Sequence, residues 1–315
     1  MASLEDIICE KTQIDPSFKT QRCYVKLTAP YIFKELILHK GFELKDFCVR
    51  SINNILNRLG YTLKKVLKTK PLKKIAQTDA IFENVACHHQ KSKNDARILR
   101  ISIDTKAKVK VGNLSRGGYS RMMNPPQADD HDQHWDAVLT PFGVYEIDHD
   151  QVFLTFGNSK ETSDFIVDAL ELWWSKRAFL PQDYDLLMID LDNGKPVAGN
   201  TRRFIQRMVQ FASQIQMPIQ LVYYPPYHSK YNPVERVWAA LEQYWSGLIL
   251  DTIPNTLRIA AQMTWKGINP VVQLLDKVYC KPEPISLRDF KELDDFLIRN
   301  PALPKWDIKI LPVSG

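Results

Sequence analysis

The segment YYPPYHSKYNPVERV, from Tyr223 to Val237, gives the clearest indication of the fold of this chain. Its first residues end the apolar run PIQLVYY, which predicts a strand, and its last residues begin NPVERVWAALEQYW, which has the apolar spacing of a helix. A proline-rich turn joins the two. A strand that leads through a short turn into a helix is the repeating unit of α/β domains. The turn also brings one carboxylate, Glu235, into the first turn of the helix.

Residues 97–250 as a whole continue this alternation of strands and helices. The patterns, in chain order, are the strand RILRISIDTKAKVKVGN, the hairpin strands DAVLTPFGVYEI and QVFLTFGNS, the helix SDFIVDALELWWSKR, the strand DYDLLMIDLDNG and the helix AGNTRRFIQRMVQFASQIQ. With the segment above, three strands in a meander precede a helix and two strand–helix units. This order predicts a ribonuclease-H-like α/β fold, a mixed sheet flanked by helices, over residues 97–250.

Two helical patterns occupy the N-terminal region. LTAPYIFKELILHKGF has Thr28 as a cap, Pro30 in the first turn and Gly41 at its end. LKDFCVRSINNILNRLGY places apolar residues on one face and Asn, Ser and Arg on the other. The pair predicts an N-terminal helix-turn-helix region for DNA binding over residues 1–66. The alternative is a small helical bundle that only packs on the main domain. The expected DNA contacts are Arg50, Ser51, Asn54, Asn57, Arg58, Lys64, Lys65 and Lys68.

The positive charge of the chain is concentrated toward its N-terminus. The whole chain has a net charge of +6, whereas residues 1–100 alone contain 19 basic and 10 acidic residues. No acidic residue occurs between Asp46 and Asp79, although eight basic residues do. Such a block attracts the phosphate backbone of nucleic acids and makes binding depend on salt. We interpret residues 67–96 as a basic linker that follows the helical region.

The composition of the chain is that of a soluble globular protein. Its 315 residues, 44% hydrophobic and 25% charged, suffice for one large or two smaller domains. No apolar run approaches the roughly 20 residues that cross a bilayer, and the first residues lack a signal-peptide core. The five cysteines are dispersed, which indicates reduced thiols and a cytoplasmic location. Patterns such as SLRDFKELDDFLIRN predict a C-terminal helical tail over residues 251–315.

Three carboxylates fall on core elements of the predicted domain. Asp104 lies in the first strand, Asp192 ends the fourth strand and Glu235 lies in the last helix. The first and fourth strands are neighbours in a ribonuclease-H-like sheet, so the three groups can converge. Carboxylates suit Mg²⁺, which prefers oxygen ligands and retains several waters. Two such ions promote phosphodiester cleavage.

Alternatives apply to two of these carboxylates. Asp190 lies two residues before Asp192 on the same strand face, so either could be the second ligand. Glu235 could instead complete a helix cap, because Asn232 is a good N-cap and Pro233 suits the first helical position. We interpret the His- and Asp-rich residues 117–136 as a mobile loop and not as a second metal site.

Together these residues resemble the DDE-type transposases of bacterial insertion sequences, in the group that includes mariner-like and ISAzo-type elements. The resemblance covers residues 30–250, and its motifs are SIDTK, WW at 173–174, LDNG, Arg202-Arg203, PPYHSKYNPVERVW and NRLGYTLKK. It implies that Asp104, Asp192 and Glu235 form the catalytic, metal-binding triad. It also implies two Mg²⁺ ions as cofactors, which Mn²⁺ can replace.

The resemblance further implies a function and partners. The expected activity is metal-dependent DNA strand cleavage and strand transfer at the ends of a mobile element. His228, Ser229 and Lys230 would line the site beside the DNA strand. The expected partner is double-stranded DNA, both element ends and target, bound by a homo-oligomer with no membrane association. The alternatives are a catalytically inactive, repurposed DNA-binding protein derived from a transposase, and a structure-specific nuclease of the same fold.

Overall fold

A computed structural model gives the structure of the chain. It describes residues 12–14, 23–25, 28–43, 45–46, 48–59, 61, 75–131, 133–177 and 184–313. The chain forms two compact units, residues 1–70 and residues 71–315. Three of the expected DNA contacts, Lys64, Lys65 and Lys68, lie outside the described residues. None of the described helices has the length and apolar character needed to span a bilayer.

The first unit contains two helices and a two-stranded ribbon within its described residues. Helix α1 spans Ala29–His39 and helix α2 spans Val49–Arg58. Strands β1, Thr12–Ile14, and β2, Cys23–Val25, pair antiparallel. Both helices occur where the apolar spacing predicts them.

The two helices pack on each other through a small apolar cluster. Ile32 and Leu36 of α1 and Ile52 of α2 are buried together. The hydroxyl of Thr28 accepts a hydrogen bond from the backbone N–H of Tyr31 at 3.3 Å, so Thr28 caps α1 as predicted. The packing accounts for a folded helical pair, and its function as a helix-turn-helix stays a prediction.

The second unit combines helices with a large sheet. Its described α-helices are α3 (Thr78–Asn94), α4 (Ser163–Arg177), α5 (Arg202–Ile215), α6 (Val234–Trp245), α7 (Ile253–Gln262) and α8 (Leu287–Lys291). Its described strands are β3 (Ile98–Thr105), β4 (Val109–Val111), β5 (Ala137–Glu146), β6 (Gln151–Gly157), β7 (Leu186–Leu191), β8 (Ile219–Tyr223), β9 (Val271–Leu275), β10 (Leu297–Arg299) and β11 (Asp307–Ile310).

These strands form one mixed sheet with β3 near its centre. The order is β10-β11-β8-β7-β3-β5-β6-β9, and β4 pairs with β5 outside this path. Strands β3, β7 and β8 run parallel, whereas β5 is antiparallel to both β3 and β6. The central five strands therefore have the order and directions of a ribonuclease-H-like sheet. The predicted fold class is confirmed, including the placement of the first strand beside the fourth.

Strand β3 presents an apolar face to one side of the sheet and a polar face to the other. Leu99, Ile101 and Ile103 are buried in the main core with residues of α4 and α5. Side chains alternate along a strand, so Arg100 and Ser102 point to the opposite face. There the Ser102 hydroxyl contacts the residues that begin α6. The functional residues of β3 belong to this polar face.

Helix α3 occupies the second half of the region predicted as a basic linker, residues 67–96. Its Ile81 and Val85 are buried in the main core. Its His88 also approaches Asp307 of β11, with 3.1 Å between Nε2 and Oδ1. The linker prediction is therefore wrong for this helix, because the apolar spacing from residue 78 onward is that of a helix packed on a sheet.

The C-terminal region adds strands to both edges of the sheet and does not form the helical tail predicted over residues 251–315. β9 pairs parallel with β6 at one edge, and the β10–β11 hairpin pairs with β8 at the other. Among the described residues of this region, only α7 and the short α8 are α-helical. Unpaired N–H and C=O groups along a sheet edge favour the addition of a strand, which explains the difference.

A buried ion pair joins β3 to β7 and leads to a prediction about stability. Asp190 is fully buried, and two guanidinium nitrogens of Arg100 lie 2.6 and 3.0 Å from its Oδ2. Asp190→Ala leaves the guanidinium buried without its counter-charge. We expect the free energy of unfolding, measured by urea denaturation, to fall by about 3–5 kcal/mol.

An exposed pair between the same parts of the chain provides the control. Arg97 and Asp185 lie 2.6 Å apart, but both side chains are more than half exposed. Asp185→Ala is expected to change the free energy of unfolding by less than about 1 kcal/mol. Equal losses for Asp190→Ala and Asp185→Ala would contradict the distinction between the two pairs.

Candidate active site

The ends of two neighbouring parallel strands bring Asp104 and Asp192 to the same edge of the sheet. Asp104 is the penultimate residue of β3, and Asp192 directly follows β7. The register pairs Ser102 with Asp190. Two residues further along each strand, on the same face, are Asp104 and Asp192. The strand pairing therefore explains why two carboxylates distant in sequence become neighbours.

A cleft of about 100 Å³ opens at this edge. Its polar lining includes Asp104, Thr105, Glu161 and Asp192, and Gly194 forms part of its wall. Three carboxyl groups thus face one small space. Two of them are predicted by the sequence, and Glu161 is an addition.

The carboxyl group of Asp104 is strongly perturbed by its surroundings. Burial raises its pKa, and the negative charges of Asp192 and Glu235 raise it further, to about 8. Charges exert such effects only over short distances. The three predicted carboxylates therefore interact through Asp104, and a bound cation would relieve their mutual repulsion.

Helix α6 supplies a hydrogen bond that orients Asp104. The indole Nε1 of Trp238 donates to Asp104 Oδ2 at 3.0 Å, which opposes part of the rise in pKa. Gly143 on β5 leaves room for the indole ring. A Cβ atom at Gly143 would lie 2.7 Å from Cη2 and Cζ2 of Trp238. Any larger residue at this position would displace the ring that holds Asp104.

Two buried polar side chains attach the start of α6 to β3. Asn232 Oδ1 accepts from the Ser102 hydroxyl at 2.5 Å, and Asn232 Nδ2 donates to the Ile103 carbonyl at 2.8 Å. The Ser102 hydroxyl oxygen accepts from the backbone N–H of Val234 at 2.9 Å. The side chain of Asn232 therefore does not cap α6, and the capping alternative is wrong for this residue. Its bonds to the strand position Glu235 relative to the sheet.

Asp190 and Asp192 differ in what each carboxylate contacts. Asp190 is fully buried, and its Oδ2 accepts from Arg100 and lies 3.1 Å from His89 Nε2. Asp192 instead lines the cleft, and its Oδ1 accepts from the backbone N–H of Gly194 at 3.1 Å. The geometry favours Asp192 as the residue available to a ligand.

Glu161 is a candidate functional residue that the sequence analysis does not identify. It precedes Thr162, whose hydroxyl caps α4 by accepting from the N–H of Phe165 at 3.2 Å. Burial raises the pKa of Glu161, and the charge of Asp192 adds to the rise. β6 runs in the same direction as β3, so it ends at the same edge of the sheet. An acidic residue in the loop after this strand, which ends at Gly157, is the signal that could have found it.

The expected DNA contacts in the first unit lie on the solvent side of α2. Arg50, Asn54, Asn57 and Arg58 are exposed, and Ser51 is half-buried. Their accessibility agrees with the predicted role, which stays a prediction.

The residues of the second unit that are expected to contact DNA differ in their exposure to solvent. Lys230 is exposed and Ser229 is half-buried, but His228 is only 3% exposed. The His228 ring packs edge-on against Phe82, and its Nδ1 lies 2.7 Å from the carbonyl oxygen of Pro226. Because His228 is buried, it has little surface available to DNA. The expected direct contact with DNA is therefore wrong for His228, which instead supports the loop.

The donor set of the cleft suits a hard divalent cation. Asp104, Asp192 and Glu161 line it, and Glu235 acts on it electrostatically. Oxygen ligands completed by water are the coordination that Mg²⁺ prefers. Within the described residues, no group of three or more His, Cys, Asp and Glu side chains is arranged to hold a metal ion. Binding would therefore need water ligands and an inward shift of the carboxylates.

The family of the chain follows from its sequence match over nearly its whole length. Residues 3–312 match the family described as Rhodopirellula transposase DDE domain. The chain belongs to this transposase family. The resemblance to DDE-type transposases, stated from the motifs, is thereby confirmed. No curated protein matches the sequence significantly.

Solved structures of the Mos1 transposase are similar to this DDE transposase chain at low identity. The Mos1 mariner paired end complex with Mn is 12% identical with a TM-score of 0.46, covering 82% of this chain and 69% of that chain. The Mos1 paired end complex with Mg is 12% identical with a TM-score of 0.45, covering 81% and 79%. The Mos1 strand transfer complex is 11% identical with a TM-score of 0.42, covering 82% and 68%. Membership of the family rests on the sequence match alone.

A metal-ligand role for Asp104, together with its raised pKa, predicts that cation binding by this DDE transposase chain depends on pH. A cation binds the ionised carboxylate, so it must displace the proton that Asp104 holds below about pH 8. We expect Mn²⁺ affinity, measured by isothermal titration calorimetry, to rise about tenfold per pH unit up to about pH 8 and then to level off. An affinity that stays constant over this range would contradict a ligand role for Asp104.

The same proton affects the stability of the metal-free protein. The pKa of Asp104 is higher in the folded state than its ordinary value of 3.8. The folded state therefore retains a proton that the unfolded chain has lost, and this contribution to stability decreases as pH rises from 3.8 to about 8.

Substitution of two tryptophans of α6, one as the test and one as the control, shows whether the hydrogen bond from Trp238 affects the pKa of Asp104. Trp238→Phe removes the N–H that favours the ionised carboxylate, so the pKa of Asp104 should rise further. We expect the pH at which Mn²⁺ affinity levels off to move upward. In Trp245→Phe it should not move, because the buried N–H of Trp245 has no hydrogen-bond acceptor in the described part of the chain. The same shift in both variants would argue against a specific hydrogen bond.

Proposed function

We propose that this chain cleaves DNA strands at the ends of a mobile element and transfers them to target DNA, with two Mg²⁺ ions that Mn²⁺ can replace. The observation that carries the proposal is that Asp104 and Asp192 line one cleft at the edge of a ribonuclease-H-like sheet, with the charge of Glu235 contributing to the raised pKa of Asp104. Membership of a transposase family supports the choice of DNA as the substrate.

The proposed catalytic and metal-binding residues are Asp104, Asp192 and Glu235. When bound, two divalent ions activate the attacking oxygen and stabilise the negative charge that develops on the phosphoryl group. The chain itself orients the ligands: Trp238 holds one oxygen of Asp104, and Asn232 fixes the start of the helix that carries Glu235. These contacts reduce the reorganisation that cation binding requires.

Double-stranded DNA is the proposed partner, both as element ends and as target. The first 100 residues carry 19 basic and 10 acidic side chains, which favours binding to phosphates. The helix-turn-helix proposed over residues 1–66 would present the exposed Arg50, Asn54 and Arg58 of α2 to the DNA. Joining two element ends in one reaction requires at least two active sites, so we also propose a homo-oligomer on DNA. The proposed location is the bacterial cytoplasm, at the nucleoid.

Metal-dependent nicking tests the proposed activity. The substrate is a supercoiled plasmid that carries the DNA flanking the coding sequence, incubated with the full chain in Mg²⁺ or Mn²⁺. We expect nicking that Asp104→Asn and Asp192→Asn each reduce by roughly 10²–10³-fold or more, since each removes a group that supports charge stabilisation. The exposed Asp185→Asn is the control and should nick at the normal rate.

An inactive relative that only binds DNA gives a different result in the same assay. It would retard the flanking DNA in a gel but would not nick it in either metal. Equal nicking by Asp104→Asn, Asp192→Asn and the unaltered chain would also contradict the proposed site.

A further inference from the structure

The loop between β8 and α6 leaves the sheet at the edge where the carboxylates lie. β8 is parallel to β7, so its end at Tyr223 shares this edge with the ends of β3 and β7. The loop then passes from Pro225 to Asn232 and enters the helix that carries Glu235. The loop and the cleft therefore share one edge of the sheet, although no residue of the loop lines the cleft.

Tyr227 in this loop combines an unfavourable backbone with an exposed ring. Its φ of 64° lies in the left-handed region, which a bulky aromatic residue rarely adopts. Its side chain is 57% exposed. An aromatic ring in this position contributes little to the core of the protein. Strain of this kind persists where the surrounding structure enforces it, and it clusters at functional sites.

The turn around Tyr227 is held by its neighbours on both sides. Pro225 and Pro226 restrict the backbone before it. After it, the backbone N–H of His228 donates to the Pro225 carbonyl at 3.2 Å, and His228 Nδ1 lies 2.7 Å from the Pro226 carbonyl oxygen. The direction of the Tyr227 backbone is therefore fixed before any ligand binds.

An aromatic cluster supports the second half of the loop. The rings of His228 and Tyr231 stack with centroids 6.0 Å apart and an interplanar angle of 24°. Phe82 of α3 meets both rings edge-on, at 5.2 and 5.3 Å. Lys230 places its Nζ 5.1 Å from the centroid of the Tyr231 ring and is exposed to solvent. The loop thus presents an aromatic ring and a positive charge on a rigid base.

We propose that Tyr227 is a stacking platform for one unpaired nucleobase of the DNA strand whose phosphate lies in the carboxylate cleft. Every base has a flat π-face, so stacking on an aromatic ring needs no particular sequence. The charge of Lys230 suits a phosphate next to the stacked base. This proposal rests on the proposed function, which identifies the strand in the cleft as DNA. It adds that the DNA is locally unpaired beside the reacting phosphate.

The affinity of the full chain for two single-stranded probes measures this stacking. One probe is an oligothymidylate of about 20 nucleotides, and the other is an abasic oligomer with the same number of phosphates. Phosphate contacts, including those of the basic N-terminal region, are common to both, so the ratio of their Kd values reports the contribution of the bases. We expect the oligothymidylate to bind about 5- to 100-fold more tightly in fluorescence anisotropy with EDTA present.

Three variants test whether Tyr227 is responsible for the preference for oligothymidylate over the abasic oligomer. Tyr227→Gly removes the ring and also relieves the backbone, because glycine adopts positive φ without strain. We expect its Kd ratio to fall close to one, while its Tm stays the same or rises by about 2–4 °C. Tyr227→Phe should keep the ratio. Tyr244→Ala, which alters a half-exposed tyrosine of α6, should also keep it.

Each outcome either supports or overturns the stacking proposal. A ratio near one in the unaltered chain, or an unchanged ratio in Tyr227→Gly, overturns it. An equal fall in Tyr227→Gly and Tyr244→Ala overturns it as well, because the effect would not be specific to the loop. The measurement uses neither metal nor cleavage, so its failure leaves the nicking test of the proposed function unaffected.

Discussion

The parallel pairing of β3 with β7 is the interaction on which the rest of the structure depends. It places Asp104 and Asp192 at one edge, and the buried pair of Arg100 and Asp190 joins the same two strands. A buried ion pair adds little net stability, but breaking it is costly. A register shift would separate Arg100 from its counter-charge and bury both charges unpaired. The pair therefore specifies the register, and with it the spacing of the two site carboxylates.

Helix α6 provides hydrogen bonds to the buried polar groups on the polar face of the sheet. Asp104 is pushed toward the protonated state by burial and by neighbouring charge, so the metal-free site is an unfavourable place for carboxylates. The same helix that brings Glu235 also supplies the indole N–H of Trp238 and the amide of Asn232. The Ser102 hydroxyl, the Ile103 carbonyl and the Asp104 carboxylate thus each gain a hydrogen-bond partner. Repulsion between the carboxylates remains, and the proposed cations would relieve it.

Features set by local chemistry were predictable from the sequence, and features set by distant partners were not. The three-strand meander and the position of Asp104 in its first strand follow from apolar spacing alone. The Asn232 side chain looked like a helix cap, because nothing in its neighbourhood reveals that Ser102, 130 residues away, binds it. Glu161 is an acidic residue in the loop after β6, but only the sheet topology shows that it shares a cleft with Asp192. The strands in residues 251–315 likewise depend on edges formed elsewhere in the chain.

The segment from Tyr223 to Val237 satisfies folding rules at some residues and violates one at Tyr227. Tyr223 is fully buried and its hydroxyl donates to the Val197 carbonyl at 2.7 Å, while Pro233 directly precedes the helix as its N-cap residue. Tyr227 has the opposite character, with a positive φ and a ring that lies largely in solvent. Local rules are broken mainly at functional sites, where the compensating gain comes from elsewhere. Since the chain keeps this ring out of its own core, the compensating contact is expected from the DNA.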